Sequence, residues 1–402
     1  MSGGRVLHLI EQLGAPSETF LTDRMVELDR LGWEAWAAAR GLAETSFVPF
    51  PPAERTLVLR RRAAVAARLR AAVGAGRGDA PEWIERGIRR ARPDLLHAHF
   101  GWNGLAAMAS ARSHRLPLVV GLHGYDVCVY PHHGMRPPPS AGAESPPRGA
   151  APEEVYEELF SLAASVVVNS RFLERRLRDL GYAHPVDVIP SGIRLEEFPF
   201  RGPRSDPGDG RPPCLLYVGR LVEYKGLDTA IHALGGLGDE LARARLDVVG
   251  EGPQRPAYER LVNELGLQGR VEFHGAGTRA EVVAAFGRAD LLVAPARTLD
   301  SGQAEALGNV IKEALAVGLE VVATNHGGHP EVLPPERRAE LIPEDDPAAL
   351  SAAIHGRWAR RDGWPERARR GRDWVAEHFD WHALAPRLAT IYRQAVDQRL
   401  AA

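Results

Sequence analysis

Short apolar segments alternate along this chain with longer segments in which apolar residues recur every three or four positions. In the first half, the short apolar segments lie at residues 6–10, 95–98, 118–121 and 166–169. Runs of four or five apolar residues are typical of strands buried on both faces, and the wider spacing is typical of helices. Because strand alternates with helix, the first half is predicted to be an α/β domain with a parallel sheet.

The same alternation begins again in the second half. Its short apolar segments are residues 214–218, 246–249, 271–274, 291–294 and 321–324. The predicted fold class is therefore α/β, with two doubly wound, Rossmann-like domains. Open parallel sheets bind ligands at the carboxyl ends of their strands, so the two domains are expected to face one another across a ligand-binding cleft.

Composition and periodicity set the predicted domain limits. Residues 201–213 are crowded with Gly, Pro, Ser and Asp, the composition of an exposed connection. The assignment is an N-terminal domain at 1–200, a linker at 201–213, a C-terminal domain at 214–375 and a helical segment at 376–402. Residues 131–152, rich in Pro, Gly, Ala and Ser and without periodicity, are predicted to form a mobile insertion in the first domain.

Composition also excludes several classes of partner. A net charge of −2 over 402 residues gives no general attraction for nucleic acid, so no nucleic-acid partner is expected. Cys128 and Cys214 are the only cysteines, which indicates buried small apolar residues in a reducing compartment rather than a disulfide framework. Residues 1–10 have a short apolar run but no basic region followed by a longer apolar stretch, so secretion is not expected. No apolar run reaches about 18 residues, so no membrane-spanning helix is expected. The predicted location is the cytoplasm.

One segment, from Arg55 to Arg77, is strongly basic. It carries seven arginines interleaved with apolar residues. This pattern predicts a surface helix with a solvated basic face. The alternative is a basic amphipathic helix in peripheral contact with the anionic inner face of the cell membrane, which a lipid-linked acceptor would favour.

Two cations follow the first predicted strand of the second domain. After residues 214–218 comes a glycine, then Arg220 and, five positions on, Lys225, before a helix predicted to start near Leu227. A diphosphate can be bound by these groups together: the arginine donates two hydrogen bonds, the lysine supplies a positive charge, and the helix N-terminus offers free amides. The alternative is a pair of solvated surface charges.

Two glutamates flank a glycine turn farther along the chain. Glu305 and Glu313 are eight positions apart, which on one helix would separate them by about 80°, so we expect them to reach a ligand from different elements. Glu305 is predicted to lie in a loop, and Glu313 about one turn inside a helix capped by Asn309. Free amides of Gly308, Asn309 and Val310 suit a phosphate or sugar hydroxyl, and the carboxylates suit hydroxyls of sugar and ribose. The alternative is two surface glutamates beside an ordinary helix start.

Histidines follow two predicted strands of the first domain. His97 and His99 end one strand, and His123 follows the next, with Asp126 three positions later. An imidazole at a strand end can donate to a sugar hydroxyl, and Asp126 could orient it or an acceptor hydroxyl. We expect His97 and His99 to face opposite sides of their strand and find no third ligand, so no metal site is predicted. The alternative role for these histidines is hydrogen bonding within the fold.

The loop after the first strand supplies a further candidate. Ser17, Glu18 and Thr19 follow that strand and open the first predicted helix. Such a loop is suited to cover the diphosphate or to contact an acceptor. A plain N-terminal cap is the alternative.

Seven short motifs, taken together, resemble one family. They are Ser-Glu-Thr-Phe at 17–20, His-Ala-His-Phe at 97–100, His-Gly-Tyr-Asp at 123–126, Gly-Arg-Leu-Val-Glu-Tyr-Lys-Gly at 219–226, Val-Gly-Glu-Gly-Pro at 249–253, Glu-x7-Glu at 305–313 and Gly-Gly-His-Pro-Glu at 327–331. In this order and spacing they resemble the family 4 retaining glycosyltransferases of the GT-B fold, common in bacterial polysaccharide and glycoconjugate synthesis. The resemblance covers nearly the whole chain.

The resemblance implies roles for these residues. The C-terminal domain would bind the nucleotide sugar, the N-terminal domain the acceptor, and the last helix would cross back to the N-terminal domain. Arg220 and Lys225 would neutralise the donor diphosphate, Glu305 would bind the transferred sugar, Glu313 the ribose, and His123 would lie beside the anomeric carbon. The resemblance also implies retention of configuration with no metal and no cofactor, the nucleotide sugar being a co-substrate.

Two residues depart from the family pattern. Ala306 stands where the family has Gly after the first glutamate, and Glu320 stands where it has Pro before the last strand. The first-strand loop also lacks the family's Gly-Gly pair. Ala306 is expected to narrow the sugar pocket or to shift the donor.

The expected reaction is transfer of a hexose-type sugar from a UDP-sugar, or else a GDP-sugar, to a glycan, lipid-linked or small-molecule acceptor. The alternatives are a sugar-nucleotide epimerase of the same fold and a non-catalytic relative that only binds nucleotide sugar. An NAD-dependent oxidoreductase is disfavoured because no Gly-x-Gly-x-x-Gly follows a strand and opens a helix.

Overall fold

The computed structural model describes residues 3–14, 19–42, 50–58, 81–133, 154–204 and 213–401. The chain forms two compact units, residues 1–192 with 381–402 and residues 193–380. The unit boundary therefore lies before the expected linker at 201–213. Residues just after the boundary already belong to the second unit, where the Arg201 and Gly202 amides donate to the Val317 carbonyl at 3.0 and 3.1 Å.

The first unit contains a seven-stranded parallel sheet. Its strands are β1 (Arg5–Leu13), β2 (Glu34–Leu42), β3 (Thr56–Val58), β4 (Leu95–His99), β5 (Leu118–Leu122), β6 (Ser165–Val168) and β7 (Asp187–Val188). Their order across the sheet is β3-β2-β1-β4-β5-β6-β7. Every residue of β4 and β5 is buried, which explains why these strands appear in the sequence as continuous apolar runs.

Helices connect these strands, as the alternating pattern predicts. They are α1 (Thr19–Arg30), α2 (Glu82–Ala91), α3 (Gly101–Ser113), α4 (Tyr125–Cys128), α5 (Tyr130–His133), α6 (Glu157–Leu162) and α7 (Arg171–Asp179). Because α5 extends to His133, the predicted insertion at 131–152 begins within a helix. Most of the predicted insertion lies outside the described residues.

The second unit contains a five-stranded parallel sheet. Its strands are β8 (Cys214–Val218), β9 (Arg245–Val249), β10 (Val271–Gly275), β11 (Leu291–Ala294) and β12 (Glu320–Ala323), in the order β10-β9-β8-β11-β12. Its helices are α8 (Leu227–Gly235), α9 (Arg255–Glu264), α10 (Arg279–Arg288), α11 (Asn309–Val317), α12 (His329–Val332), α13 (Pro347–Ala359) and α14 (Trp364–Phe379). Leu216 belongs to one buried cluster, and its neighbours Leu215 and Tyr217 belong to another. This alternation is what a strand buried on both faces requires.

The C-terminal segment comprises two helices rather than the single segment predicted at 376–402. α14 ends at Phe379, and α15 (Trp381–Ala401) begins after an extended Asp380. Leu388 and Tyr392 of α15 are buried in a core cluster of the first unit together with Leu28. The last helix is thus an integral part of the first unit.

Both cysteines are buried free thiols, as predicted, and burial raises the pKa of each to about 12. Within the described part of the chain, no helix is long and apolar enough to cross a membrane. The predicted basic helix does not begin at Arg55. That residue closes a 3-10 turn, forms an ion pair with Asp29 at 2.8 Å and precedes β3, while residues 59–77 lie outside the described ranges.

Glu320, which departs from the family pattern, is the centre of a buried ion-pair network. Its side chain is 2% exposed and contacts Arg337 at 2.6 Å, Arg367 at 2.8 Å and Arg357 at 3.2 Å. Glu340 pairs with Arg357 and Arg367 at 2.7 and 2.8 Å. These arginines come from α13, α14 and the turn before them. One carboxylate therefore attaches three segments to the edge strand β12.

Candidate functional site

The two predicted cations lie at the carboxyl end of the central strand of the second sheet. β8 ends at Val218, Arg220 follows, and Lys225 closes a 3-10 turn just before α8. Arg220 is exposed, and its guanidinium makes no hydrogen bond or ion pair with any residue that the structure describes. Its charge is therefore accessible to a ligand.

Lys225 and Glu305, 80 positions apart in the sequence, form a direct hydrogen-bonded ion pair. Their side chains are 22% and 15% exposed. Burial disfavours the charge on each, but their mutual attraction outweighs it, lowering the pKa of Glu305 to about 2 and raising that of Lys225. At neutral pH the structure thus holds a cation and a hydrogen-bond-accepting anion side by side.

A histidine that the sequence motifs did not single out positions the Glu305 loop. The Glu305 amide donates to His326 Nε2 at 2.9 Å, and His326 Nδ1 lies 2.8 Å from Glu344 Oε1. Because Nε2 accepts a hydrogen bond, His326 must carry its proton on Nδ1 and donate it to Glu344. His326 directly precedes the glycine pair at 327–328. This position directly before a motif is the only feature of the sequence that could have identified His326 as a site residue.

The glycine pair is required by close packing against the Glu305 loop. Gly327 has a φ of +50°, and a Cβ there would lie 2.0 Å from the Glu305 carbonyl oxygen. A Cβ at Gly328 would lie 2.2 Å from the Ala306 carbonyl oxygen, and the Gly328 amide donates to the Glu305 carbonyl at 3.1 Å. Any larger residue would displace the loop that carries Glu305.

The start of α11 differs from the prediction in two respects. Gly308, at φ +86°, is the residue before the helix and Asn309 is the first helical residue, so Asn309 is not the cap. The Gly308 amide donates to Glu305 Oε1 at 3.3 Å instead of remaining free. Asn309 and Val310 occupy the first turn, where amides have no acceptor within the helix. Glu313 lies half-buried farther along α11.

Asp126 does not orient the His123 ring or face an acceptor, contrary to the expectation. It is fully buried, and its Oδ1 accepts the amides of His123 and Gly124 at 3.0 and 2.8 Å. Its Oδ2 accepts the Gly101 amide at 3.0 Å. Asp126 therefore fixes the loop that carries His123 to the start of α3. Burial outweighs these bonds and raises the pKa of Asp126 to about 6.

This raised pKa gives Asp126 a testable pH signature. The pKa of Asp126 is about 6 in the folded protein and ordinarily 3.8. Asp126 therefore contributes fully to the free energy of unfolding below about pH 4, and this contribution is lost as the pH rises through 6. Relative to Asp126→Asn, the wild type should lose about 2 to 4 kcal/mol of unfolding free energy between pH 4 and 7. Urea unfolding of both proteins across this range measures the difference. A constant difference would contradict the assignment.

His123 is held between two aromatic rings. Its ring centroid lies 5.1 Å from that of Phe20, at the start of α1, and 4.8 Å from that of Phe100. Burial, and then the charge of Arg24, lower the pKa of His123 well below its ordinary value, so the ring is neutral. Of the predicted loop residues, Thr19 is exposed at the first position of α1. Ser17 and Glu18 lie outside the described residues.

The expectation that His97 and His99 face opposite sides of their strand is wrong. Residues two apart on a strand share a face, and these rings have centroids 4.2 Å apart. His8 of β1 adds a third imidazole, with ligand atoms of the three within 4.8 Å of one another. No sequence pattern pointed to this cluster, because His8 is a single polar residue in an apolar run.

The surroundings of this histidine cluster disfavour a metal ion. All three rings are buried, and His97 Nδ1 is hydrogen-bonded to the Tyr392 hydroxyl. Burial, and also the charge of Arg24, lower the pKa of His8 to about 3 and act in the same direction on the other two rings. A second cation beside a buried guanidinium would be repelled. The absence of a metal stays a prediction.

Two family profiles match the chain. "Glycosyltransferase Family 4" matches residues 17–197, and "Glycosyl transferases group 1" matches residues 203–368. The glycogen synthase of Mycobacterium tuberculosis is 30% identical over 307 residues, which cover 76% of this chain and 69% of the synthase. The chain belongs to glycosyltransferase family 4, as its motifs predicted.

Other relatives are glycosyltransferases with different substrates. The putative colanic acid biosynthesis glycosyltransferase WcaL of Salmonella typhimurium is 28% identical over 309 residues, 74% of this chain and 70% of WcaL. The GDP-mannose-dependent alpha-(1-6)-phosphatidylinositol monomannoside mannosyltransferase of Mycobacterium tuberculosis is 29% identical over 237 residues. That match spans 56% of this chain and 60% of the mannosyltransferase.

Solved structures confirm the predicted fold class. HepE of Anabaena, in complex with UDP, superposes with a TM-score of 0.69 at 18% identity, over 96% of this chain and 98% of HepE. The sucrose-phosphate synthase of Thermosynechococcus elongatus superposes with a TM-score of 0.73 at 23% identity, over 98% of this chain and 100% of the synthase. The two parallel-sheet units have the GT-B fold. The family match and the curated relatives make the protein a glycosyltransferase with a nucleotide-sugar donor.

Proposed function

We propose that the protein is a retaining hexosyltransferase that prefers a UDP-sugar to a GDP-sugar. The ion pair between Lys225 and Glu305 near the end of β8 supports the proposal, because a cation suited to a diphosphate lies beside a carboxylate suited to sugar hydroxyls. HepE has been solved with UDP-glucose, which supports the UDP preference. The mannosyltransferase relative is GDP-mannose-dependent, which makes a GDP-sugar the second candidate.

Each charged group has a proposed part in donor binding. Arg220 offers a bidentate fork to the diphosphate, and Lys225 has three donors, so it can retain Glu305 and bind a phosphate oxygen at once. The amides of Asn309 and Val310 add donors at the positive end of α11. Glu305 accepts hydrogen bonds from the transferred sugar, and Glu313 accepts them from the ribose. His123 is proposed to donate a hydrogen bond to a sugar hydroxyl.

Catalysis is proposed to come from electrostatic stabilisation of the leaving diphosphate. Arg220 and Lys225 offset the negative charge that grows on the leaving group while the sugar gains oxocarbenium character. The acceptor hydroxyl would attack on the face from which the diphosphate departs, so that the configuration is retained. Because these two side chains supply the positive charge, the reaction is proposed to need no metal and no cofactor.

Ligand-induced stabilisation tests the donor assignment. UDP at about 100 times its dissociation constant should raise the melting temperature by about 5 to 10 °C, with or without EDTA. GDP should give a smaller shift at equal concentration and ADP none. A larger shift with GDP or ADP would reverse the base preference, and a UDP shift that EDTA abolishes would contradict metal independence.

The acceptor is proposed to be a glycan, a lipid-linked sugar or a small molecule, met in the cytoplasm. A lipid-linked acceptor would bring the enzyme to the inner face of the cell membrane, with the basic segment between Arg55 and Arg77 as its contact. Co-sedimentation with vesicles of anionic lipid should then be strong at low salt and weak at high salt. Equal binding to neutral vesicles, or none to anionic ones, would remove the membrane contact.

A further inference from the structure

One loop of the second unit packs against the turn that holds Lys225. The loop follows β11. Its Arg297 amide donates to the Tyr224 carbonyl at 2.8 Å. A Cβ at Gly226 would lie only 2.0 Å from the Pro295 carbonyl oxygen, so the two backbones are in close contact there. The start of this loop therefore contacts the backbone on both sides of Lys225.

Glu344 holds both ends of residues 298–305 in the same loop, one end directly and the other through His326. The Thr298 amide donates to Glu344 Oε2 at 2.6 Å. His326 Nδ1 donates to Glu344 Oε1 at 2.8 Å. The Glu305 amide donates to His326 Nε2 at 2.9 Å. We call Thr298, Glu344, His326 and Glu305 the amide clamp.

The amide clamp requires a side chain with two acceptors at position 344. A backbone amide stands at each end of the clamp, and it can only donate. Neutral His326 accepts with one nitrogen and donates with the other, so the group between His326 and the Thr298 amide must accept from both sides. Partial burial disfavours the charge of Glu344, but the bonds from Thr298 and His326 outweigh it and lower the pKa of Glu344. Both of its oxygens are therefore acceptors at neutral pH.

We propose that Glu344 is a positioning residue that fixes Glu305 relative to the Lys225 turn. Through His326 it holds the amide of Glu305, and it holds the same loop at Thr298, one residue after the contact with the Lys225 turn. Small displacements of groups that bind a reacting substrate lower the rate strongly. The effect on transfer rests on the proposed function, whereas the hydrogen bonds of the amide clamp do not.

Amide hydrogen exchange of the full chain, resolved to single residues, tests the amide clamp without substrate. A glutamine amide has one acceptor and one donor group, so Glu344→Gln can accept from the Thr298 amide or from His326, but not from both. In this variant at least one of the Thr298 and Glu305 amides should exchange about tenfold faster, the effect of one lost hydrogen bond. Wild-type exchange at both amides would overturn the proposal.

Asp345→Asn is the matched control. It removes the same charge from the neighbouring residue, whose side chain is 56% exposed and pairs with Arg297 at 2.9 Å. Arg297 keeps its other carboxylate, Asp228, at 2.9 Å, and asparagine tolerates the φ of +52° at position 345. Both amides should exchange at wild-type rates in this variant. Exchange as fast as in Glu344→Gln would show that lost charge, not a lost acceptor, loosens the loop, and would overturn the proposal.

The ring of His326 supplies a measurement on the wild type, which decides the proposal if circular dichroism shows that Glu344→Gln does not fold. In NMR of the full chain labelled with 15N-histidine, Nδ1 of His326 should be protonated and Nε2 bare at neutral pH. A proton on Nε2, alone or together with one on Nδ1, would leave the Glu305 amide without its acceptor. Such a result would overturn the proposal.

The consequence for transfer is measured separately. Glu344→Gln should lower kcat about 10- to 100-fold. KM for the nucleotide sugar should change little, because Arg220, the proposed diphosphate contact, lies outside the amide clamp. Asp345→Asn should keep the wild-type kcat. Altered exchange with an unchanged kcat would overturn the positioning role. If the wild type performs no transfer, the proposed function fails, and the exchange and NMR results still decide whether the amide clamp exists.

Discussion

Replacing Arg220 with alanine should lower sugar transfer about 100- to 1,000-fold, the cost of removing one preorganised donor from a developing anion. Arg220 is exposed and makes no side-chain bond to any described residue, so its loss should change the free energy of unfolding by about 0.5 kcal/mol or less. Transfer rates and urea unfolding curves measure the two effects. Loss of activity without loss of stability is the expected signature of a ligand-binding cation.

Arg243→Ala is the matched control for that experiment. Arg243 is also exposed, but it precedes β9 and so lies at the amino end of its strand, away from the predicted ligand-binding edge. This variant should keep both wild-type activity and wild-type stability. A rate for Arg220→Ala equal to that of Arg243→Ala would show that Arg220 does not bind the diphosphate.

Replacing Glu320 with alanine should destabilise the second unit by about 3 to 5 kcal/mol. The substitution leaves the guanidinium of Arg337 without its buried carboxylate and weakens the attachment of α13 and α14 to β12. Removing one partner from a buried ion pair costs this much because the remaining charge stays in a poorly solvated site. Urea or thermal unfolding, followed by circular dichroism, measures the loss.

Glu366→Gln provides the control for Glu320. Glu366 pairs with Arg370 on the surface of α14, with side chains 71% and 61% exposed, and such pairs contribute about 0 to 1 kcal/mol. The unfolding curve of the Glu366→Gln variant should therefore match that of the wild type closely. Equal, small effects of the two substitutions would mean that the Glu320 network does not hold the second unit together.

Much of the fold could be predicted from the sequence. Strands such as β4, β5 and β8 are buried on both faces, so each appears as an apolar run whatever its neighbours. The position of Arg220 and Lys225 in the fold could also be predicted, because a side chain just after a parallel strand lies at the carboxyl edge of the sheet. These inferences need only local pattern and chain order.

Contacts between distant segments were not predictable in the same way. The sequence places Lys225 and Glu305 in one family pattern, but not in one ion pair. The support of Glu305 by His326, and the meeting of Glu320 with three arginines, depend on loops and helices brought together only by the fold. Side-chain pairing of this kind leaves no periodicity to detect.

The wrong expectations have specific physical causes. Asp126 was expected to face a ligand, but it accepts two amides of the turn after β5, those of His123 and Gly124, and the Gly101 amide at the start of α3. Asn309 was expected to cap α11, but a φ of +86° at the preceding position selects Gly308 there. The unit boundary lies before the Gly- and Pro-rich stretch, because residues 193–204 are already bonded within the second unit.

We propose that Arg220, Lys225 and Glu305 promote cleavage of the bond between the sugar and the diphosphate of the donor. The most direct measurement is release of nucleoside diphosphate from sugar-labelled UDP-hexose and GDP-hexose, with the fate of the label followed by chromatography. We expect release of the diphosphate with transfer of the label to an acceptor or to water, and we expect Arg220→Ala to lose both. Label converted to an epimeric nucleotide sugar without diphosphate release, or no turnover of any nucleotide sugar by the wild type, would contradict it.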